Sequence, residues 1–194
     1  SRSAMVGGGA ALEAAQKLKE EVRRKRGTYS AETLLAGDYD AKVFFRPKGN
    51  YNSFGANLVT ADLDETGSVR VRECAAFYDV GQVLNPAMVD SQVAGGSAQG
   101  IGQVLSEAAV YDADGQVLTP TLADAGVLSS TEMPRFVVKT AETRSDLPHG
   151  AKGVGESPTI GVPPALMRAI ERQAGKRLTR TPLRPEELIM GKAG

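Results

Sequence analysis

Residues 152–158 read Lys152-Gly153-Val154-Gly155-Glu156-Ser157-Pro158, which places one carboxylate after two glycines and before a proline-opened helix. Glycine has no Cβ, so its backbone can take positive φ and approach a bound group closely. A glutamate held by such a loop at a helix N-terminus can point at a reaction centre rather than at water. The alternative interpretation is a tight turn with Glu156 as a solvated charge, because glycine pairs are common in turns.

The charge balance excludes a nucleic-acid partner. Twenty-three basic and 23 acidic side chains cancel in the 194 residues. The only basic run, Arg23-Arg24-Lys25-Arg26, ends a predicted helix, where cations interact favourably with the helix dipole. No apolar stretch approaches the roughly 18 residues that a membrane span needs, so we expect no membrane insertion.

The chain has one cysteine and one histidine, which limits the metal chemistry that it can supply. Cys74 and His149 cannot build an all-cysteine iron–sulfur or zinc site or a histidine-based metal site, so we expect no metal ligand. Cys74 lies in an alternating segment that favours a buried thiol, and a reducing, cytoplasmic setting is expected. The chain starts at Ser1 without a signal-peptide pattern, and we expect a fragment of a longer polypeptide.

The order of predicted elements favours an α+β fold in one domain, residues 1–194, with antiparallel strand pairs packed against a few helices. Helices are predicted for residues 10–26, 30–36 and 85–106 and from Pro163-Pro164 to Gly175. Strands are predicted for residues 42–45, 54–62, 69–78 and 135–143, with a second hairpin between residues 109–111 and 117–119. Residues 179–194 are expected to form a tail with a short turn at residues 185–189.

The third predicted helix is rich in glycine and glutamine. Its four glycines, each costing about 1 kcal/mol relative to alanine in a helix, indicate that something packs very close to it. Gln92, Gln99 and Gln103 fall near one face, which favours a large polar ligand lying along the helix. The alternative is three surface glutamines.

The segment Ser1-Arg2-Ser3 precedes glycines and the first helix, so its hydroxyls, guanidinium and backbone N–H groups are suited to an anion. The alternative is that Ser3 merely caps that helix. A serine hydrolase is not supported, because the chain has no Gly-x-Ser-x-Gly motif.

Together these strings resemble the C-terminal part of the molybdenum-binding subunit of the xanthine dehydrogenase, aldehyde oxidase and carbon monoxide dehydrogenase family. The resemblance extends from Ser1 to about residue 185. The matching strings, in the family's order, are Asp79-Val80-Gly81 with Asn85-Pro86, Gln92-Val93-Ala94-Gly95-Gly96, Gln99-Gly100-Ile101-Gly102, and Gly150-Ala151-Lys152-Gly153-Val154-Gly155-Glu156 with Pro163-Pro164-Ala165.

The resemblance implies a molybdenum hydroxylase domain in which Glu156 is the catalytic base. It implies molybdopterin contacts from Gln99 with Gly100, from the segment Ser1, Arg2 and Ser3, and from the loop residues Lys152, Gly153, Val154 and Gly155. The pterin with its molybdenum is the implied cofactor, and a cytosine dinucleotide form is one option for it. The implied substrate is a small molecule such as an aldehyde or an N-heterocycle.

The resemblance also implies partners, namely the rest of the molybdenum subunit and the iron–sulfur and flavin (FAD) subunits or domains. Because much of the substrate pocket lies in that remainder, we expect the isolated chain to fold without turning over substrate or retaining molybdenum. The alternative function is a non-catalytic binding or assembly module that keeps the same fold.

Overall fold

The computed structural model describes residues 3–26, 30–37, 39–48, 52–143 and 145–189. A π-helical turn, Ser3–Gly7, leads directly into α1, Gly8–Arg26. The remaining elements are α2 (Ala31–Leu35), β1 (Gly55–Leu63), β2 (Val69–Asp79), α3 (Pro86–Leu105), β3 (Arg135–Ala141), α4 (Ser157–Ala174) and α5 (Pro185–Ile189). Within these ranges, none of the helices combines the length and apolar character that crossing a bilayer requires.

The predicted hairpin of β1 and β2 is confirmed. The Asp64 carboxylate closes the turn by accepting hydrogen bonds from the backbone N–H groups of Thr66 and Ser68, both at 2.9 Å. The strands pair antiparallel, with a register shift between Thr60 and Ala61. The inward side chains of β2 pack against the helices, and Cys74 is among them, buried as predicted. The opposite face of the sheet is exposed.

The third strand departs from the predicted antiparallel pairing, although the α+β class is confirmed. β3 pairs parallel to β2, and the chain between them passes through α3. Parallel neighbours need a long crossover, and a helix is the usual one. The predicted second hairpin is reduced to a single bridge between Tyr111 and Val117.

The predicted strand at residues 42–45 is wrong. These residues form no strand; Phe44 is exposed, and the ring of Phe45 lies against Gly9 of α1, where a Cβ would come within 2.6 Å of it. A short apolar run becomes a strand only where a sheet edge is within reach, and here the run packs against a helix instead.

The helices α3 and α4 pack side by side over one face of the sheet and form the main core. Their fully buried residues include Ile101, Leu166 and Ile170. The helices run in the same direction, because a Cβ on Gly96 would approach Gly155 and Pro158, whereas one on Gly100 would approach Val162 and Pro163. Both N-termini therefore lie at the same end of the domain.

The predicted start of the last helix at Pro163-Pro164 is wrong. The helix α4 begins at Ser157, and the two prolines lie inside it. Proline is typical of a first turn because it lacks an N–H, and inside a helix it loses a backbone hydrogen bond. The Pro163 ring packs beside Val162 where Gly100 leaves space on α3, so this proline contributes to the tight contact between the helices.

The described part of the tail, residues 179–189, packs into the core. Leu183 and Leu188 are buried, and the Leu183 N–H donates to the Val104 carbonyl at 2.7 Å. The predicted short turn at residues 185–189 is the helix α5.

Candidate functional site

A cleft of about 650 Å³ lies at the end of the domain where α3 and α4 begin. Three distant parts of the chain line it: residues 3–5, residues between Val80 and Gln92, and the loop of residues 151–156. The cleft therefore brings together Ser3, the first turns of α3 and the glycine loop that the sequence singles out. Its polar side chains include the carboxamides of Gln82, Asn85 and Gln92.

The glycine loop is attached to the end of β2 by a short antiparallel bridge between Gly81 and Ala151. The Gln82 N–H donates to the Gly150 carbonyl at 2.9 Å, and the Lys152 N–H donates to the Val80 carbonyl at 2.8 Å. Gly81 has φ +59°, and a Cβ there would lie 2.1 Å from the Gly150 oxygen, so this position requires glycine. The bridge thus depends on a residue without a side chain.

The centre of the loop is held by apolar packing. Val154 is buried in a small cluster with Val80, Val93 and Tyr78. Gly153 and Gly155 flank it and line the cleft with their backbone. The loop consequently shows main chain to the cleft and side chain to the core.

Glu156 is the N-cap residue of α4, with φ −102° and ψ −14°, and it lines the cleft. Its side chain makes no capping hydrogen bond and is exposed. The turn below it is fixed by the Ser157 N–H, which donates to the Val154 carbonyl, and by the Thr159 hydroxyl, which donates to the Glu156 carbonyl at 2.7 Å. The predicted carboxylate at a helix N-terminus is therefore present, although the helix starts earlier than the prolines suggest.

Behind the loop lies a buried ion pair that the sequence does not predict. The Lys152 ammonium is 2.5 Å from Oδ2 of Asp79, and the two side chains are 4% and 9% exposed. Asp79 is the last residue of β2, and its Oδ1 also accepts the Gly81 N–H at 3.0 Å. An aspartate at the end of a buried strand was the available signal, because a buried carboxylate needs a charged partner.

The Asp79 carboxylate is ionised in this environment. Burial alone raises the pKa of this carboxyl, but hydrogen bonds from Lys152 and Thr143 and from the N–H groups of Gly81 and Thr143 outweigh burial. The resulting pKa lies well below the usual range of an aspartate. The Asp79 carboxylate is therefore charged at neutral pH.

The predicted cofactor residues on α3, Gln99 and Gly100, are not among the residues that line the cleft, whereas Gln92, earlier on the same helix, is. Gln99 is exposed on the same helix face as Gln92 and Gln103, and Gly100 is buried against α4. The close packing that the glycines indicate is confirmed at Gly96 and Gly100, and its cause is α4 rather than a ligand. A cofactor contact at Gln99 or Gly100 stays a prediction.

Of the predicted anion segment, Ser3 begins the π-helical turn and lines the cleft. Because that turn continues into α1, Ser3 is not the residue that directly precedes the α-helix. Ser1 and Arg2 lie outside the described residues.

Comparison with known proteins gives consistent matches. A sequence model described as molybdopterin cofactor-binding domain matches residues 1–134, a span that ends before the glycine loop. The gamma subunit of the 6-hydroxypseudooxynicotine dehydrogenase complex of Paenarthrobacter nicotinovorans is 35% identical over 164 residues, covering 81% of this chain and 20% of that protein. The carbon monoxide dehydrogenase large chain of Hydrogenophaga pseudoflava is 33% identical over 135 residues, covering 68% and 17%.

A solved structure agrees with these matches. The aldehyde oxidoreductase of Desulfovibrio desulfuricans superposes with a TM-score of 0.78 at 30% identity, covering 96% of this chain and 22% of that one. The chain thus spans about a fifth of the length of the relatives that it matches.

Proposed function

We propose a function for this chain from the family to which it belongs, the molybdopterin cofactor-binding domain family. On this proposal the chain forms one wall of the cofactor site in a molybdenum hydroxylase and supplies the catalytic base, Glu156. The observation that carries the proposal is the cleft, in which the Glu156 carboxylate stands beside a loop of bare main chain and two helix N-termini. The family match ends before this loop, so the role of Glu156 rests on the cleft and on the matching string around it.

The residues of the cleft fit a pterin cofactor that carries phosphate. A volume of about 650 Å³ is in the range of sites that bind cofactor-sized molecules. The carboxamides of Gln82 and Gln92 can donate to and accept from a heterocycle. The N-termini of α3 and α4 both favour negative charge at the cleft.

When bound, the cofactor supplies an activated oxygen derived from water and takes up the two electrons of the oxidation. The chain's own contribution is at the Glu156 carboxylate, which accepts a proton at one of its oxygens. The flanking glycines allow the main chain to come close to the bound group, and the buried Val154 keeps the loop closed against the core. The loop thereby sets where the Glu156 backbone stands at the edge of the cleft.

The proposal extends to the partners that the resemblance implies. The rest of the molybdenum subunit would cover the exposed side of the cleft and supply most of the substrate pocket, and iron–sulfur and flavin subunits would receive the electrons. The substrate would be a small molecule with an electron-poor carbon, such as an aldehyde or N-heterocycle. On this proposal the pterin carries its molybdenum with or without a cytosine dinucleotide, and the isolated chain neither turns over nor retains metal.

The test is Glu156→Gln in the assembled enzyme. Loss of a general base is expected to lower kcat by about a hundredfold or more, while the molybdenum content per subunit stays unchanged. The matched control is Glu65→Gln, which removes an exposed carboxylate in the β1–β2 turn and is expected to leave kcat unchanged.

Near-normal kcat in Glu156→Gln would remove Glu156 from the chemistry. If the chain instead formed no active molybdenum enzyme with any partner, the alternative of a non-catalytic binding or assembly module would be favoured. A loss of molybdenum with unchanged kcat per metal would instead assign Glu156 to cofactor binding.

A further inference from the structure

The ion pair of Lys152 and Asp79 belongs to a closed hydrogen-bond network beneath the glycine loop. Oδ1 of Asp79 accepts the N–H groups of Gly81 and Thr143, at 3.0 and 3.2 Å. Oδ2 accepts the Thr143 hydroxyl at 2.6 Å and the Lys152 ammonium at 2.5 Å. The ammonium also donates to the Thr143 oxygen at 2.7 Å. Four donors use the full accepting capacity of the carboxylate.

A buried charged network of this kind contributes little to the free energy of unfolding. Two charges lose their hydration on burial, and their mutual attraction often does no more than offset that loss. An apolar pair of the same volume would serve the core equally well. The charged pair instead adds a geometric requirement. The carboxylate accepts its hydrogen bonds only when the donors stand in one arrangement.

The network lies at the start of the glycine loop, whose path sets the position of Glu156. Lys152 precedes Gly153, Val154 and Gly155, and Glu156 follows them directly. Two glycines make this segment conformationally permissive, so its path depends on its anchors. The anchors on the β2 side are the bridge at Ala151 and the Lys152 side chain, and the anchor in the centre is Val154.

The Lys152 side chain lies away from the cleft in which a ligand would bind. The side chain is 4% exposed, whereas the residue as a whole is partly exposed, so the part that faces the cleft is main chain. Its ammonium points to Asp79 and Thr143, at the end of the sheet. A direct charge contact with a molecule in the cleft would require the ammonium to leave this network.

We propose that Lys152, Asp79 and Thr143 form a positioning network that sets the path of the glycine loop and thereby aims the Glu156 carboxylate, rather than a charge that binds the cofactor. The inference rests on the proposed role of Glu156 as the base. All three network residues are positioning residues, since they act through the loop. Replacing the network therefore lowers kcat while leaving cofactor binding intact.

The test uses the assembled molybdenum enzyme and the double variant Asp79→Asn/Lys152→Met. Changing both partners avoids the buried, unpaired charge that either single change would leave. We expect kcat per bound molybdenum to fall about tenfold, KM to change less than about threefold, and molybdenum content to match the wild type. The control is Arg168→Met, which removes the ion pair that the exposed Arg168 side chain makes with Glu171 on α4 and is expected to leave all three quantities unchanged.

A second variant, Thr143→Val, covers the case in which the double variant does not accumulate. It removes hydrogen bonds to both charges, leaves them paired, and changes an exposed residue, so it is expected to fold. We expect kcat per molybdenum to fall several-fold. Unchanged kcat per molybdenum in the variants that accumulate would overturn the proposal. Loss of molybdenum with unchanged kcat per metal would overturn it too, because it would show that Lys152 holds the cofactor.

Combining the network variants with Glu156→Gln separates this inference from the proposed function. If the network acts through Glu156, Asp79→Asn/Lys152→Met lowers kcat little further in the Glu156→Gln background, whereas an independent effect would multiply. A full tenfold further loss in that background overturns the inference and leaves the role of Glu156 standing. Normal kcat in Glu156→Gln alone overturns the role of Glu156, and the inference falls with it.

Discussion

The two ends of the α3–α4 pair are built by different physical means. At the C-terminal end, Ile101, Leu166 and Ile170 pack with side chains of the sheet and the tail, all of them apolar. At the N-terminal end, the contacts are a backbone bridge, a buried ion pair and one small apolar cluster around Val154. The apolar end is expected to supply most of the stability, and on our proposal the other end sets the geometry of Glu156.

Burial and position are therefore separate requirements in this domain. Apolar packing is non-directional and tolerates small shifts, so it can stabilise a core without fixing one carboxylate. Hydrogen bonds to an ionised group have a narrow geometry, so they can fix the loop while adding little to the free energy of unfolding. Variants at the two ends should therefore differ in what they change.

The largest effect is expected from Leu166→Ala, which removes a fully buried side chain from the apolar end. The change should lower the free energy of unfolding by about 2–5 kcal/mol, because it removes apolar burial and leaves a cavity. The measurement is urea unfolding of the chain. Ile160→Ala on the same helix is the control, and since Ile160 is 74% exposed, a change within about 0.5 kcal/mol is expected. Equal effects at the two positions would show that α4 does not pack as described.

Smaller effects, opposite in sign to each other, are expected from alanine substitutions at two glycines of α3. A Cβ at Gly100 would lie 3.0 Å from the Val162 Cβ and 3.1 Å from the Pro163 ring, whereas Gly95 has nothing within 4 Å. Gly100→Ala should destabilise the chain by about 1–2 kcal/mol through overpacking, even after the gain in helix propensity. Gly95→Ala should stabilise it by about 0.5–1 kcal/mol. Stabilisation by both changes in thermal or urea unfolding would contradict the close approach of the two helices.

The smallest effect is expected in the pH dependence of stability at the cleft end. The pKa of Asp79 is lowered on folding, so its contribution is fully present above the pKa of an unfolded aspartate, about 4, and is lost as pH falls below it. Between about pH 5 and pH 3, the wild type should lose stability more steeply than Asp79→Asn/Lys152→Met. Other carboxylates with lowered pKa, such as Asp64 and Glu171, titrate equally in both proteins. Parallel unfolding curves over this range would mean that the pair is not ionised in the fold.

Local chemistry made several elements of this fold predictable. Asp64 and Gly67 close a hairpin by themselves, because the carboxylate satisfies the turn's own N–H groups. Asn85 caps α3 by accepting the Met88 N–H at 3.1 Å, and Pro86 starts it. Each of these signals involves residues within a few positions of one another, which is why a pattern read along the chain detects them.

Other features depended on partners that are distant along the chain. Whether residues 42–45 join a sheet depends on where α1 lies, and whether β3 runs parallel depends on the crossover through α3. The pairing of Lys152 with Asp79 spans 73 positions and leaves no local pattern, because either residue alone resembles a surface or turn residue.

Residues read along the chain were enough to predict the family, the hairpin, the capped glycine-rich helix and the carboxylate at position 156 beside two glycines. The folded chain was needed to show that α3 and α4 begin at the same cleft, that Gly96 and Gly100 make room for a helix, and that the Lys152 ammonium lies beneath the loop. The physical reason is that turns and caps are satisfied by neighbouring residues, whereas buried charge and close helix packing are satisfied only by groups that folding brings together.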